Sequence, residues 1–316
     1  MRLAVLVLAL VPLVAAAQFP SRPITIVVPF PPGSTSDLLP RVIAPLMSQS
    51  LGVPIVVDNR PGAGGNVGAT IVARGEASGH TIAMTPSAIL ATNQWLYKEP
   101  GYNPQRDFVP IINAATTPNL WVSNPEVPVK NMGDVIALAR DRPGSLSFAS
   151  GGAGTTSHLC GELLKTTAHI DMLHVPYKGP APALQDVLAA RVPLMCDNFS
   201  NVITHVRSGR LRAIALTALT RHPQAPDVPT VDESGVRGFE VNVWYGFSAP
   251  AATPRPVVEK LNAEIARALR SPAVAERLES LGLTVVADSA EEFARFVARE
   301  SEKMRQLVQA SGARVD

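Results

Sequence analysis

The chain alternates short apolar runs with segments in which apolar residues recur every three or four positions, and the alternation holds over most of its length. Residues 24–28 are such a run, Pro29 to Gly33 form a Pro/Gly turn, and Ser34, Thr35, Ser36 and Asp37 carry a helix-start signal. This predicts strand, loop and helix in succession. In the next segment Leu38, Val42, Leu46 and Met47 share one helical face and Gly52 ends it, while Pro45 removes an internal hydrogen bond and predicts a kink. Segments 54–58 and 80–84 read as further strands, separated by a Gly-rich turn at 59–66 and a helix at 67–74. Thr85-Pro86-Ser87 closes the third strand.

Residues 108–123 are extended and apolar, and the Pro-rich stretch 124–128 suits a crossing between domains, placed near residue 122. Beyond it, strands at 146–149, 172–175, 192–196 and 211–216 alternate with helices at 156–167, 180–190 and 200–208. Phe239 to Pro250 reads as one long strand and the return crossing. Helices then follow, the first capped by Thr253, the next opened by Ser271-Pro272, the last by a Ser289/Glu292 capping box. Strands alternating with helices predict an α/β protein with a mixed, parallel-rich sheet in each of two lobes. Lobe 1 is expected from 22–121 plus 247–316, and lobe 2 from 122–246.

Length agrees with two cores. The chain has 316 residues, and the first 17 (Met1-Arg2, then an apolar run closing on Ala15-Ala16-Ala17) read as a secretory signal cleaved after about Ala17. That leaves about 300 residues, more than one core usually holds. The protein is therefore expected in the periplasm. A net charge of +2, with the basic residues scattered, gives no footprint for nucleic acid or an anionic membrane. Only Cys160 and Cys196 occur; two buried thiols on neighbouring elements and one bridge both fit them, burial being the commoner fate of a cysteine. No His/Cys/Asp cluster has metal-ligand spacing, the Gly-rich turns lack the spacing of a nucleotide loop, and no cofactor is expected.

Catalysis is poorly supported. There is no Gly-x-Ser-x-Gly elbow, and Ser157 and His158 as helix neighbours point about 100° apart. What the predicted strand ends share is small neutral donors. The first loop offers Pro32, Gly33, Ser34 and Thr35, braced by Asp37; the third strand ends at Ser87. A second loop repeats the grammar with Ser150, Gly152, Gly154, Thr155 and Thr156 ahead of a helix. Helix starts at strand ends suit an anion, and neutral donors suit a carboxylate. Asp197, after the strand 192–196, fits either a ligand hydroxyl or amine or a plain turn. Trp244 and Tyr245 fit hinge packing better than ligand stacking.

Taken together, these motifs resemble the exported solute receptors of tripartite tricarboxylate transporters, the Bug family. The resemblance spans essentially the whole mature chain. It rests on Val28-Pro29-Phe30-Pro31-Pro32-Gly33 leading to Asp37, on residues 57–66 (Val-Asp-Asn-Arg-Pro-Gly-Ala-Gly-Gly-Asn), and on Ser150-Gly151-Gly152-Ala153-Gly154-Thr155 leading to His158. It continues through His174-Val175-Pro176-Tyr177-Lys178-Gly179, Asp197-Asn198, Pro226-Asp227-Val228-Pro229-Thr230 and Trp244-Tyr245-Gly246. Departures from the family pattern are Ser34, where Gly is usual, and Pro40 and Pro45 in the helix that follows. The resemblance implies a type II, Venus-flytrap binding protein that closes on a small carboxylate and delivers it to membrane permease subunits. It implies no catalysis, and the receptor is expected to be a monomer. An orphan sensor signalling to a membrane kinase would use the same cleft, and a secreted hydrolase is the remaining alternative.

Overall fold

The computed structural model describes residues 19–315; the expected signal segment, residues 1–17, lies outside them. The first stretch of chain runs β1 (Ile24–Val28), α1 (Thr35–Leu51), β2 (Ile55–Asn59), α2 (Asn66–Ala73) and β3 (Thr81–Pro86). Two short helices, α3 (Asn93–Leu96) and α4 (Pro104–Asp107), lead into β4 (Phe108–Ser123). There follow α5 (Met132–Asp141), β5 (Ser147–Ser150), α6 (Thr156–Ala168), β6 (Leu173–Pro176), α7 (Pro180–Leu188), β7 (Leu194–Asn198), α8 (Phe199–Arg207) and β8 (Arg212–Leu216). The chain returns through β9 (Asn242–Pro250) and ends with α9 (Arg255–Leu269), α10 (Pro272–Ser280), β10 (Thr284–Val285) and α11 (Ala290–Ser311).

All strands join in one curled sheet of order β2-β1-β3-β9-β4-β7-β5-β6, with β8 and β10 also paired to β4. The outer pairs β1/β2, β1/β3, β5/β6 and β5/β7 are parallel; β9 and β4 in the middle are antiparallel to their neighbours. Side chains that alternate along each strand serve two faces. In β1, Ile24, Ile26 and Val28 pack with α1, α9 and α10, while Val27 packs on the other face with α2 and α11. In β4, Trp121 joins α5 and α6, whereas Leu120 and Val122 join α7 and α8. Helices thus cover both faces of each half of the sheet, which defines two lobes.

β4 belongs to both. Up to Pro118 it pairs with β9, and from Asn119 onward it pairs with β7 and β8. The change of partner falls a few residues before the crossing expected near 122. The long strand read at 239–250 begins at Asn242, because Phe239 and Val241 are spent in the core of lobe 2 and the Val241 N–H donates to the Thr217 carbonyl. Helix α1 runs unbroken from Thr35 to Leu51 through Pro40 and Pro45, so the expected kink does not divide it. Pro254, not Thr253, caps α9. The capping box at Ser289 is present. Among the described residues no helix is long and apolar enough to cross a membrane, and no group of three or more His, Cys, Asp or Glu could hold a metal.

Candidate functional site

Each of two loops follows the carboxyl end of a strand and opens a helix. Loop 1 joins β1 to α1. Gly33 takes φ +82°, where a side chain would be strained, and its N–H donates to Asp37 Oδ2 at 2.9 Å. Arg41 Nε and Asn59 Nδ2 donate to Asp37 Oδ1 at 2.8 and 2.9 Å, and the same Asn59 amide reaches the Phe30 carbonyl at 3.0 Å. Asp37 is 2% exposed. Burial pushes its carboxyl up, but the hydrogen bonds from Gly33, Asn59 and Arg41 outweigh this and hold it below the ordinary Asp value. Both oxygens are spent within the loop, so Asp37 is its brace. Ser34 is the N-cap residue, yet its hydroxyl donates back to the Pro31 carbonyl at 2.8 Å instead of accepting from the helix.

Loop 2 joins β5 to α6 and is held without an ion pair to its own residues. Thr155 caps α6: it accepts from the His158 N–H at 3.3 Å while its hydroxyl donates to the Gly152 carbonyl at 2.7 Å. The Gly154 N–H donates to His158 Nδ1 at 3.0 Å, and the Gly152 N–H to Ser150 Oγ at 3.1 Å. Ser150 Oγ lies 2.6 Å from His174 Nε2, and the two imidazoles stack with centroids 4.0 Å apart. Burial, then the neighbouring charges, push both histidines down to about 4. They are neutral at pH 7. The Ser150–His174 contact has the composition of a nucleophile and base, but Ser150 is 0% exposed and the imidazole is too weakly basic for the task.

With side chains binding each loop to itself, the helix-start amides are left over. Among the described residues, the N–H groups of Thr35 and Ser36 at α1 and of Thr156 and Ser157 at α6 find no acceptor. Such amides at the positive end of a helix attract an anion. The two helix starts are linked through lobe 2's central strand and Tyr245. Tyr245 on β9 accepts from Asn198 Nδ2 at 3.3 Å, and its hydroxyl lies beside Thr35. Asn198 ends β7, whose Cys196 carbonyl accepts from the Ser157 hydroxyl. Cys196 is also disulfide-bonded to Cys160 of α6, with Cα atoms 6.4 Å apart, so the two cysteines are one bridge and not two thiols.

Gly33, Ser34, Thr35 and Asp37 thus lie at the carboxyl end of β1 in lobe 1, and Ser150, Gly152, Gly154, Thr155 and Thr156 at the carboxyl end of β5 in lobe 2. Pro32 is exposed at the tip of loop 1. Ser87 is buried just past Pro86, the sheet partner of Tyr245. Asp197 is 5% exposed beside Asn198, accepts from Asn201 Nδ2 at 3.0 Å, and is pushed up to about 6 by burial. Leu96 was not foreseen, and the hinge reading of Trp244 and Tyr245 did not tell the two apart. Trp244 and Tyr245 read alike in sequence, but strand alternation turns Trp244 onto Phe293 and Phe296 and only Tyr245 toward the loops. Leu96 of lobe 1 lies against Gly154, so closely that a Cβ there would overlap it.

Two α/β lobes sharing a central strand, each with a helix-start loop at the carboxyl end of a parallel strand, have the architecture of a periplasmic binding protein. The model of the tripartite tricarboxylate transporter family receptor matches residues 39–313. Protein BugT of Bordetella pertussis is 37% identical over 305 residues, covering 96% of this chain and 93% of that one. Among solved structures, an R. palustris protein, Rpa4515, with adipate superposes with a TM-score of 0.86 at 36% identity, covering 94% of this chain and all (100%) of the other. MatC from Rhodopseudomonas palustris, with bound malate, gives 0.81 at 34% identity, covering 92% and 100%. The chain belongs to the tripartite tricarboxylate transporter receptor family, the Bug family of its motifs.

Proposed function

We propose that the protein is an exported receptor that captures a small carboxylate where its two lobes meet and presents the closed form to membrane permease subunits. It works as a monomer, without cofactor and without chemistry. The observation that carries the reading is the set of unpaired amides of Thr35, Ser36, Thr156 and Ser157 at two converging helix starts. Neutral donors of both lobes then grip one carboxyl group, so that binding is closure. Relatives bound to adipate and to malate support a dicarboxylate of that size. Pro32, Gly33, Ser34, Thr35, Ser87, Ser150, Gly152, Gly154, Thr155 and Thr156 line the proposed site, with Asp37 and Asp197 beside it. The lobes divide where β4 changes partner and where β9 begins.

The test is thermal unfolding of residues 18–316 against a panel of di- and tricarboxylates, acidic amino acids and aromatic acids. A ligand at 100 times its Kd adds about 2.7 kcal/mol, a clear upward shift in Tm. No shift with any acid, after co-purified ligand has been removed by unfolding and refolding, overturns the receptor reading. Delivery is tested separately, by uptake into vesicles that carry the permease with and without the liganded receptor.

A further inference from the structure

We propose that Asp197 selects a ligand that carries a hydrogen-bond donor, a hydroxyl or an ammonium, in addition to the carboxylate gripped by the loops. The inference rests on the receptor reading above. Asp37 and Asp197 are both buried carboxylates at the loop ends, and they are treated oppositely. Asp37 has the Arg41 guanidinium at 2.8 Å. Among the described residues Asp197 has no cationic partner; its side-chain donor is the neutral Asn201 amide at 3.0 Å.

A carboxylate offers about four acceptor positions, so this donor leaves room for others. A buried charge short of donors is costly, and a ligand that brings one recovers part of that cost. The position is suited to it. Asp197 sits one residue after Cys196, whose carbonyl holds Ser157 of loop 2, and one before Asn198, whose amide meets Tyr245 next to Thr35 of loop 1. The Asp197 charge acts on the Tyr245 hydroxyl, which lies beside Thr35, and this places Asp197 near the start of α1. A second carboxylate turned toward Asp197 would meet like charge, whereas a hydroxyl or ammonium would meet an acceptor. Sites built to pair a ligand donor discriminate strongly against the analogue that lacks it.

Matched pairs decide the matter: malate against succinate, lactate against propionate and mandelate against phenylacetate, each hydroxy acid as both enantiomers, by calorimetry on the unmodified protein. One enantiomer of a hydroxy acid should bind at least about tenfold more tightly than its deoxy partner, the scale of one hydrogen bond to a charged group. In Asp197→Asn that ratio should fall at least about threefold, through loss of affinity for the hydroxy acid and not for its partner. Asp197→Ser serves where Asp197→Asn fails to reach the parent circular dichroism spectrum. Equal affinities within every bound pair, or a ratio unchanged in a folded variant, overturn the assignment to Asp197 and leave the receptor reading intact. If no pair member binds, the wider acid panel decides: tightest binding by an acid with neither hydroxyl nor ammonium overturns the assignment alone, and binding of none overturns both.

Discussion

Loop 1 and loop 2 present the same surface, a helix start with two unpaired amides, but they are held in place by different chemistry. Loop 1 hangs on a charge: the Asp37 carboxylate collects Gly33, Arg41 and Asn59. Loop 2 is a neutral lattice of Ser150, Thr155, His158 and His174, on a helix tied to its sheet by the Cys160–Cys196 bridge. The proposed site needs only donors at a fixed spacing, and either an ion pair between buried Asp37 and exposed Arg41 or stacked neutral rings can supply that spacing. The two solutions fail under different conditions, and so can be separated.

The largest separation should come from the disulfide. Replacing Cys160 and Cys196 by Ala frees a closed loop of sequence separation 36, and the chain-entropy argument assigns the bridge roughly 3–4 kcal/mol. Hydrogen exchange should rise in α6 and β7 while α1 and β1 keep their protection relative to global unfolding; equal loss in both would show the loops to be one unit. Next come the two left-handed glycines. Gly33, with φ +82°, has nothing within 4 Å of a would-be Cβ, whereas Gly154, with φ +77°, has Leu96 there. Gly33→Ala should cost about 1–2 kcal/mol from backbone strain alone, and Gly154→Ala about 2–4 kcal/mol from strain plus overpacking. Urea unfolding measures both, and equal costs would remove Leu96 from the contact.

Smaller effects are expected for the braces themselves. Asp37→Asn should cost about 1–3 kcal/mol through a weakened buried network, and Thr155→Val about 0.5–2 kcal/mol through a lost helix cap. Thr155→Val should lower ligand affinity by displacing the Thr156 and Ser157 amides, which calorimetry on the folded variant would show. The smallest effect, and the most selective, is pH. His158 and His174 bind a proton less readily folded, at about 4, than unfolded, at 6.5, so their contribution to stability falls as pH drops from 6.5 toward 4. Asp37 is also lowered, from 3.8, so its contribution persists to that value and is lost only below it. Asp197, raised to about 6, works in the opposite sense, since acidification removes the cost of burying its charge. Amide exchange at pH 5, corrected for intrinsic rate, should therefore rise in residues 150–158 before residues 31–38; the reverse order would misassign the braces.

Much of this was legible beforehand because it is local. Strand and helix alternation, the capping box at Ser289 and the strand-loop-helix order of both loops are written in neighbouring residues. What was not legible depends on distance along the chain. Asn59 completes loop 1 from the next strand, Leu96 meets Gly154 from the other lobe, and Cys160 finds Cys196 only because α6 lies on β7. The partner change at Pro118 falls before the crossing expected near 122 because β4 is mostly buried along its length, polar residues included, so burial does not mark where one lobe yields to the other. Pro45 misled for a different reason, since helix α1 is held by its buried face of Leu39, Ile43 and Met47 and tolerates one missing bond.

The place of β9 in the sheet has a consequence for how the molecule is made. It lies between β3 and β4, which precede it by more than a hundred positions. A chain emerging amino end first has its central gap open until residue 250 is out, and α9 and α11, which cover that half of the sheet, come later still. The intervening segment, by contrast, has most of its own strands and helices in hand well before then. Lobe 2 can therefore form while lobe 1 remains unfinished, and lobe 1 closes last, by insertion of a strand between two that have been waiting.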